Sequence, residues 1–216
     1  PRAFYEGPVA EKIAAAVKAA GGVMTADDLK NYRAMERAPV RGTYRGYDIV
    51  SVPPPSSGGV ALVEMLNILE GYDLAQASEA KELALLIEAM KRAYADRAWF
   101  LGDPDVAPVP VAALTAKSYA AKWRATIDAA HATPAIDIRP GAVVEPAGRN
   151  TTHFSIADRF GNAVANTYTL NFSYGVGLVA AGTGVLLNNE LDDFAARAEA
   201  PNAYGLLGYE ANAPGP

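Results

Sequence analysis

The 216 residues are half hydrophobic and one-fifth charged, with a formal net charge of −5 and a pI near 5.1. That balance supports a packed core in one sizeable domain or two small ones, and it excludes global disorder. It also argues against a nucleic-acid or anionic-membrane partner, which would call for clustered Lys and Arg, and no apolar run approaches the roughly 18 residues that span a bilayer.

In chain order, "PVAEKIAAAVKAAGG" places Val9, Ile13, Ala16 and Val17 on one helical face, and Gly21-Gly22 stops the helix. "TADDLKNY" follows as a second, short helix with Thr25 as N-cap and acidic residues in its first turn. "APVRGTYRGYDIVSV" reads as two short strands or a hairpin around Gly42 and Gly46. After "PPPSSGG", "VALVEMLNILEG" is a helix of mostly buried character. "SEAKELALLIEAMKRAYADRAWFLGD" is the longest helix, with Leu83, Ile87, Met90 and Tyr94 expected along its core stripe. "LTAKSYAAKWRATID" is another helix, with Thr115 expected as its cap.

From Ala129 to Asn150 the composition shifts to Ala, Pro, Gly and isolated charges, the best linker candidate in the chain. "TTHFSIADRFGNAVANTYTLN" then reads as strand, turn at "DRFGN", strand, with Phe154 and Ile156 alternating with polar neighbours. "GTGVLLNNELDDF" is one more strand running into an acidic, amide-rich turn, and the remaining tail is loop-like. A helix-rich first two-thirds followed by a β-rich end gives an α+β class with no internal repeat and a sheet that looks too small to be complete. The expected division falls between residues 1–150 and residues 151–216.

Cysteine is absent, which removes disulfides, thiolate metal sites and a cysteine nucleophile. His131 and His153 are too few for a histidine-rich metal site. His153 shares a strand face with Thr151, but without a GxSxG elbow it reads as a satisfied, partly buried histidine supporting the strand. "PPPSSGG" could hold an anion at a helix start, yet it lacks a phosphate-loop lysine and reads as a tight turn. "LGDPD" could offer carboxylates to a metal or simply stop a helix. Thr151 is the remaining hydroxyl at a suggestive place. A threonine needs an adjacent base, and as the first residue of a cut chain it could use its own α-amine; Thr-Thr at a strand start is otherwise ordinary β-propensity.

"TTHFSIADRFGNAVANTYTLNFSYGVGLVAAGTGVLLNNELDDF" resembles the start of the small subunit of γ-glutamyltranspeptidases, members of the N-terminal nucleophile (Ntn) hydrolase superfamily. "RGYDIVSVPPPSSGG", "EAMKRAYADRAWFLGDPD" and "DIRPG" look like the final part of that family's large subunit, so the match runs in order along essentially the whole chain.

The resemblance implies part of a four-layered αββα sandwich and no cofactor. It implies self-cleavage at Asn150-Thr151, after which Thr151 is the nucleophile and its α-amine the base. Thr169 matches a threonine whose hydroxyl supports the nucleophile. Asn171, Glu190 and Asp193 match positions that hold the donor's α-ammonium, whose three N–H groups an amide oxygen and two carboxylates can satisfy. Tyr204 matches a lid aromatic that covers the donor. The implied partners are glutathione or another γ-glutamyl donor, an amino-acid or peptide acceptor or water, and the remaining parts of both subunits. The implied location is the periplasm or outside the cell.

"PRAFYEG" has no signal-peptide pattern, and a start on Pro1 with an end on "ANAPGP" suggests an excerpt whose termini say little about export. The family's carboxylate-clamping arginine and oxyanion-hole glycine pair are expected outside this segment. Each lost oxyanion donor costs about 2.7–4 kcal/mol, so the segment alone is expected to be inactive or nearly so. Two alternatives remain: a related acylase removing a glutaryl-type side chain from a β-lactam, and a catalytically inert domain retaining the fold.

Overall fold

A proline at its first position and two glycines past its end bound the first substantial helix, α2 (Pro8–Ala19), where the Gly22 N–H closes back on the Val17 carbonyl at 2.9 Å. The structure is a computed structural model that describes residues 2–138, 151–197 and 200–214. The chain divides into two compact units, Pro1–Glu36 with Gly148–Leu191, and Arg37–Ala147 with Asp192–Pro216.

In the first unit, α2 follows the short α1 (Arg2–Tyr5) and buries Ala10 and Ile13, with Val9, Ala16 and Val17 half-buried beside them. The foreseen face is the one the helix uses. Helix α3 (Ala26–Asn31) starts at a full capping box: the Thr25 hydroxyl accepts from Asp28 N–H at 3.3 Å, while the Asp28 carboxylate accepts from Thr25 N–H at 2.7 Å. Tyr5 and Tyr32 stack with ring centroids 5.8 Å apart. Two hairpins complete this unit: β3 (Thr151–Ala157) with β4 (Ala163–Thr169), and the short β5 (Val179–Ala180) with β6 (Val185–Leu186). Strand β5, which the sequence pattern did not suggest, packs on α2 and buries Ala180 completely.

In the second unit, β1 (Val40–Tyr44) and β2 (Tyr47–Ser51) form the expected antiparallel hairpin, packed on α4 (Gly58–Leu69). Helix α4 also carries α5 (Glu79–Phe100), the short α6 (Val111–Leu114) and α7 (Lys117–Arg124). Its apolar residues feed two clusters, Val60 and Val63 with Val40, Leu101 and Leu114, and Ile68 and Leu69 with Leu85, Ala89 and Ala120. Burying side chains of this kind stabilises by roughly 1.5–3 kcal/mol each before conformational entropy is charged.

Three expectations need correction. The core stripe of α5 is not Leu83, Ile87, Met90 and Tyr94: Leu83 and Ile87 are 55% and 46% exposed, whereas Leu85, Ala89, Arg92, Ala93 and Asp96 are buried. Small alanines let α4 and α7 approach, and the buried charges find partners there, so the inward face is the one that satisfies Arg92 and Asp96. Thr115 caps no N-terminus; it sits at the C-terminal end of α6, donating to the Val111 carbonyl at 2.8 Å, and α7 starts from Ala116 without a side-chain cap. The linker-like composition from Ala129 does not mean a detached chain, since Thr133 N–H donates to Glu88 at 3.0 Å and Ile138 is 4% exposed. Residues 139–150 lie outside the described ones. The described residues hold three two-stranded sheets, which show mixed helix and strand content but not a four-layered sandwich.

Candidate active site

The turn between β3 and β4 is built on Asp158, whose carboxylate accepts from the N–H groups of Phe160 and Asn162 at 2.8 and 2.9 Å while Gly161 takes φ 85°. The Asn162 side chain first, and then these backbone bonds, hold the Asp158 carboxyl below the usual range against the opposing effect of burial. The turn fixes the register: Thr151 opposite Thr169, Thr152 opposite Tyr168, His153 opposite Thr167. Thr151 is therefore the first residue of β3, directly across from the last residue of β4. Asn150, the other half of the expected cleavage bond, lies outside the described residues.

His153 corrects one detail of its expected role. Its ring meets Thr167 Oγ1 at 2.7 Å and Ser155 Oγ at 3.2 Å, so it is satisfied and supports the strand pair, but it is exposed rather than partly buried.

Beyond Thr169 the chain reverses. Asn171 takes a left-handed φ of 68°, a conformation asparagine tolerates better than most residues, and is only 6% exposed. Its N–H donates to Thr169 Oγ1 at 2.9 Å and its Nδ2 to the Asn189 carbonyl at 3.1 Å. Asn189 answers with its Oδ1 to Phe172 N–H at 2.9 Å and its own N–H to the Leu170 carbonyl at 3.1 Å. Gly175 permits the same approach further on, because a Cβ there would lie 2.0 Å from the Leu187 carbonyl oxygen. The 3-10 turn Glu190–Asp193 starts beside Asn189, with Glu190 N–H donating to Asn188 Oδ1 at 2.9 Å. Thr169, Asn171 and Glu190 thus lie in one clasped stretch of the first unit.

Asp193 and Tyr204 belong to the second unit. Asp193 Oδ1 accepts from Asn202 Nδ2 at 3.3 Å, and its carbonyl accepts from Asn212 Nδ2 at 2.7 Å. Tyr204 N–H donates to Asn202 Oδ1 at 3.0 Å. They line, or adjoin, a small recess shared with Arg97 of α5, whose Nε donates to Ser57 Oγ at 3.2 Å. Burial pushes the Arg97 guanidinium below its ordinary pKa, partly offset by Tyr94 and Asp193.

The other motifs find structural uses. In "PPPSSGG", Gly59 is packed so tightly that a Cβ would stand 2.0 Å from the Val52 carbonyl oxygen. In "LGDPD", the Asp105 carboxylate receives both terminal nitrogens of Arg37. No group of three or more His, Asp or Glu placed to hold a metal occurs among the described residues. No helix among them is long and apolar enough to cross a membrane.

The matching family model is "Gamma-glutamyltranspeptidase", and it covers residues 1–216. The chain belongs to the γ-glutamyltranspeptidase family. Over 218 residues it is 49% identical to a glutathione hydrolase proenzyme of Escherichia coli, spanning all of this chain and 38% of that protein. Over 215 residues it is 52% identical to another from a Pseudomonas species, spanning 99% of this chain and 37% of that protein. The chain is thus less than two-fifths of the length of these family members. Among solved structures, a Helicobacter pylori γ-glutamyltranspeptidase aligns with a TM-score of 0.62 and 44% identity over 69% of this chain and 43% of its own. A Bacillus halodurans cephalosporin acylase aligns with a TM-score of 0.76 and 26% identity over 96% of this chain and 37% of its own.

The sequence missed a polar core within the second unit of this γ-glutamyltranspeptidase segment. Glu64 and Asp96 are 1% and 0% exposed. Tyr119 Oη and Trp123 Nε1 both donate to Asp96 Oδ2, at 2.8 and 2.7 Å. Burial, and then the hydrogen bond and charge of Asp96, push the Glu64 carboxyl up to about 10, so it is protonated at neutral pH and donates to Asp96. The available signal was the spacing of Glu88, Arg92 and Asp96, which puts three charges on one face of α5.

Proposed function

We propose that this chain is the middle of a γ-glutamyl-transferring hydrolase and carries its self-processing junction. Thr151 Oγ attacks the Asn150 carbonyl carbon; the Asn150–Thr151 C–N bond breaks as the acyl group shifts from nitrogen to oxygen, and water hydrolyses the ester. The freed Thr151 hydroxyl then gives its proton to the α-amine and attacks the γ-carbonyl of glutathione or a similar amide. The amine leaves with a proton, and water or the amine of an amino acid or peptide resolves the γ-glutamyl ester.

The supporting observation is the position of Thr151 at the head of β3, opposite Thr169, in a chain whose whole length matches the family. Thr169 supports the nucleophile. Asn171, Glu190 and Asp193 take the donor's α-ammonium, and Tyr204 covers the bound donor. The complete protein, with the rest of both subunits, completes the αββα sandwich and works in the periplasm or outside the cell.

The test is intact mass of the full-length protein and its Thr151→Ala variant. The natural sequence should yield two chains cut before Thr151 and the variant one uncut chain without γ-glutamyl turnover; cleavage that persists in the variant would mean an outside protease. A second reading, an acylase for glutaryl-type side chains, draws on the alignment to the cephalosporin acylase. Comparing γ-glutamyl with glutaryl anilides separates the two, since glutaryl groups lack the ammonium that Asn171, Glu190 and Asp193 are assigned to hold.

A further inference from the structure

The side chain of Asn202 has two ends with different tasks. Its Oδ1 accepts from the N–H groups of Tyr204 and Leu206, both at 3.0 Å. Two backbone donors on one atom fix which end is oxygen, so the Nδ2 end must face Asp193, whose Oδ1 it meets at 3.3 Å. The backbone of the same residue closes the loop, with Asn202 N–H on the Leu206 carbonyl at 3.0 Å and Gly205 N–H on the Asn202 carbonyl at 2.9 Å. A neighbouring bond repeats the connection, from Ala203 N–H to the Asp192 carboxylate at 3.1 Å. Asp193 is held from behind by Asn212 Nδ2 on its carbonyl, at 2.7 Å. One side chain thus touches both the Asp193 carboxylate and the Tyr204 backbone.

We propose that Asn202 is a positioning residue that couples Asp193 to the Tyr204 loop, so that ordering the lid also aligns the carboxylate that receives the donor's ammonium. This rests on the roles assigned above to Asp193 and Tyr204. The amide is suited to the task because it donates to the carboxylate without neutralising it, leaving the negative charge for the ligand. The consequence is selectivity: Asn202 contributes to binding donors that carry an α-ammonium and not to binding the rest of the molecule.

The experiment uses the full-length mature protein and measures competitive inhibition by L-glutamate and by glutarate, which differ only in the α-ammonium, together with KM and kcat for a γ-glutamyl anilide. Asn202→Ala and Asn202→Asp are each expected to lower the preference for L-glutamate over glutarate about tenfold or more, as losing one hydrogen bond to a charged group would. KM should rise more than kcat falls. Asn202→Asp keeps the acceptor for Tyr204 and Leu206 N–H while setting a second carboxylate against Asp193, so it decides the matter where the alanine variant does not mature. Adding either change to Asp193→Asn should lower the preference no further. An unchanged preference in the Asn202 variants, or equal weakening of both inhibitors, overturns the proposal. If Asp193→Asn itself leaves the preference intact, the ammonium role of Asp193 falls, and the role of Asn202 with it. A loss in Asp193→Asn with silent Asn202 variants removes only the coupling.

Discussion

The α4–α5–α7 packing and the β3–β4 hairpin are built on opposite terms. In the first, even charged groups are buried: Arg92 is 1% exposed, and its guanidinium is spent on the Glu88 carboxylate, the Thr126 carbonyl and the Thr126 hydroxyl. In the second, every residue of β4 is exposed, and Phe154 and Ile156 of β3 are 41% and 59% exposed. The hairpin is specified by its turn and register, the helices by mutual burial. Of the residues assigned to chemistry, Thr151 and Thr169 sit on this hairpin, where the turn and the strand register rather than a core set their backbone positions.

The largest break of this comparison should come from Asp96→Ala. It removes the shared acceptor of the Tyr119 hydroxyl and the Trp123 N–H in a part-buried site, at up to about 1–3 kcal/mol for each donor left unsatisfied, and chemical denaturation should register the sum. Next is Glu64→Gln. Because the folded carboxyl titrates near 10 and an unfolded one near 4.5, the unfolded chain releases a proton first as pH rises. The stability contributed by protonated Glu64 is therefore fully present below about 4.5 and declines up to about 10. A glutamine keeps a donor for Asp96 and does not titrate, so thermal melts should show the variant gaining on the natural sequence from pH 5 towards pH 9, by roughly 2–4 °C for each kcal/mol. The smallest effect belongs to Ile156→Thr. At an exposed strand position it should change the stability of the 216-residue chain by less than about 0.5 kcal/mol; a larger loss would mean that this face is covered.

Much of the local structure was legible. Thr25 and Asp28 announce a capping box within four residues, Pro8 and Gly21-Gly22 bracket α2, and Asp158 with Gly161 sets a hairpin turn; each is decided by neighbours in the chain. The position of Thr151 at the head of β3 was readable for the same reason. The inward face of α5 was not, because apolar periodicity offers Leu83 and Ile87 as readily as Leu85 and Ala89. Choosing between them requires knowing that Asp96 meets side chains from positions 119 and 123.

The family resemblance offered Asp193 and Tyr204 as candidates but passed over Asn202, which looks like an ordinary loop asparagine until its two ends are seen to reach both. The sequence by itself therefore determined most of the elements, the α3 cap and the β3–β4 turn, the α+β content and the family, all of which depend on contiguous residues, but not β5 or the start of α7. Only the tertiary structure decided which charges are buried, which helix face is core and which amide links two candidate ligand residues. Those choices depend on partners far along the chain, and hydrophobic periodicity carries no information about a hydrogen-bond donor that arrives from another element.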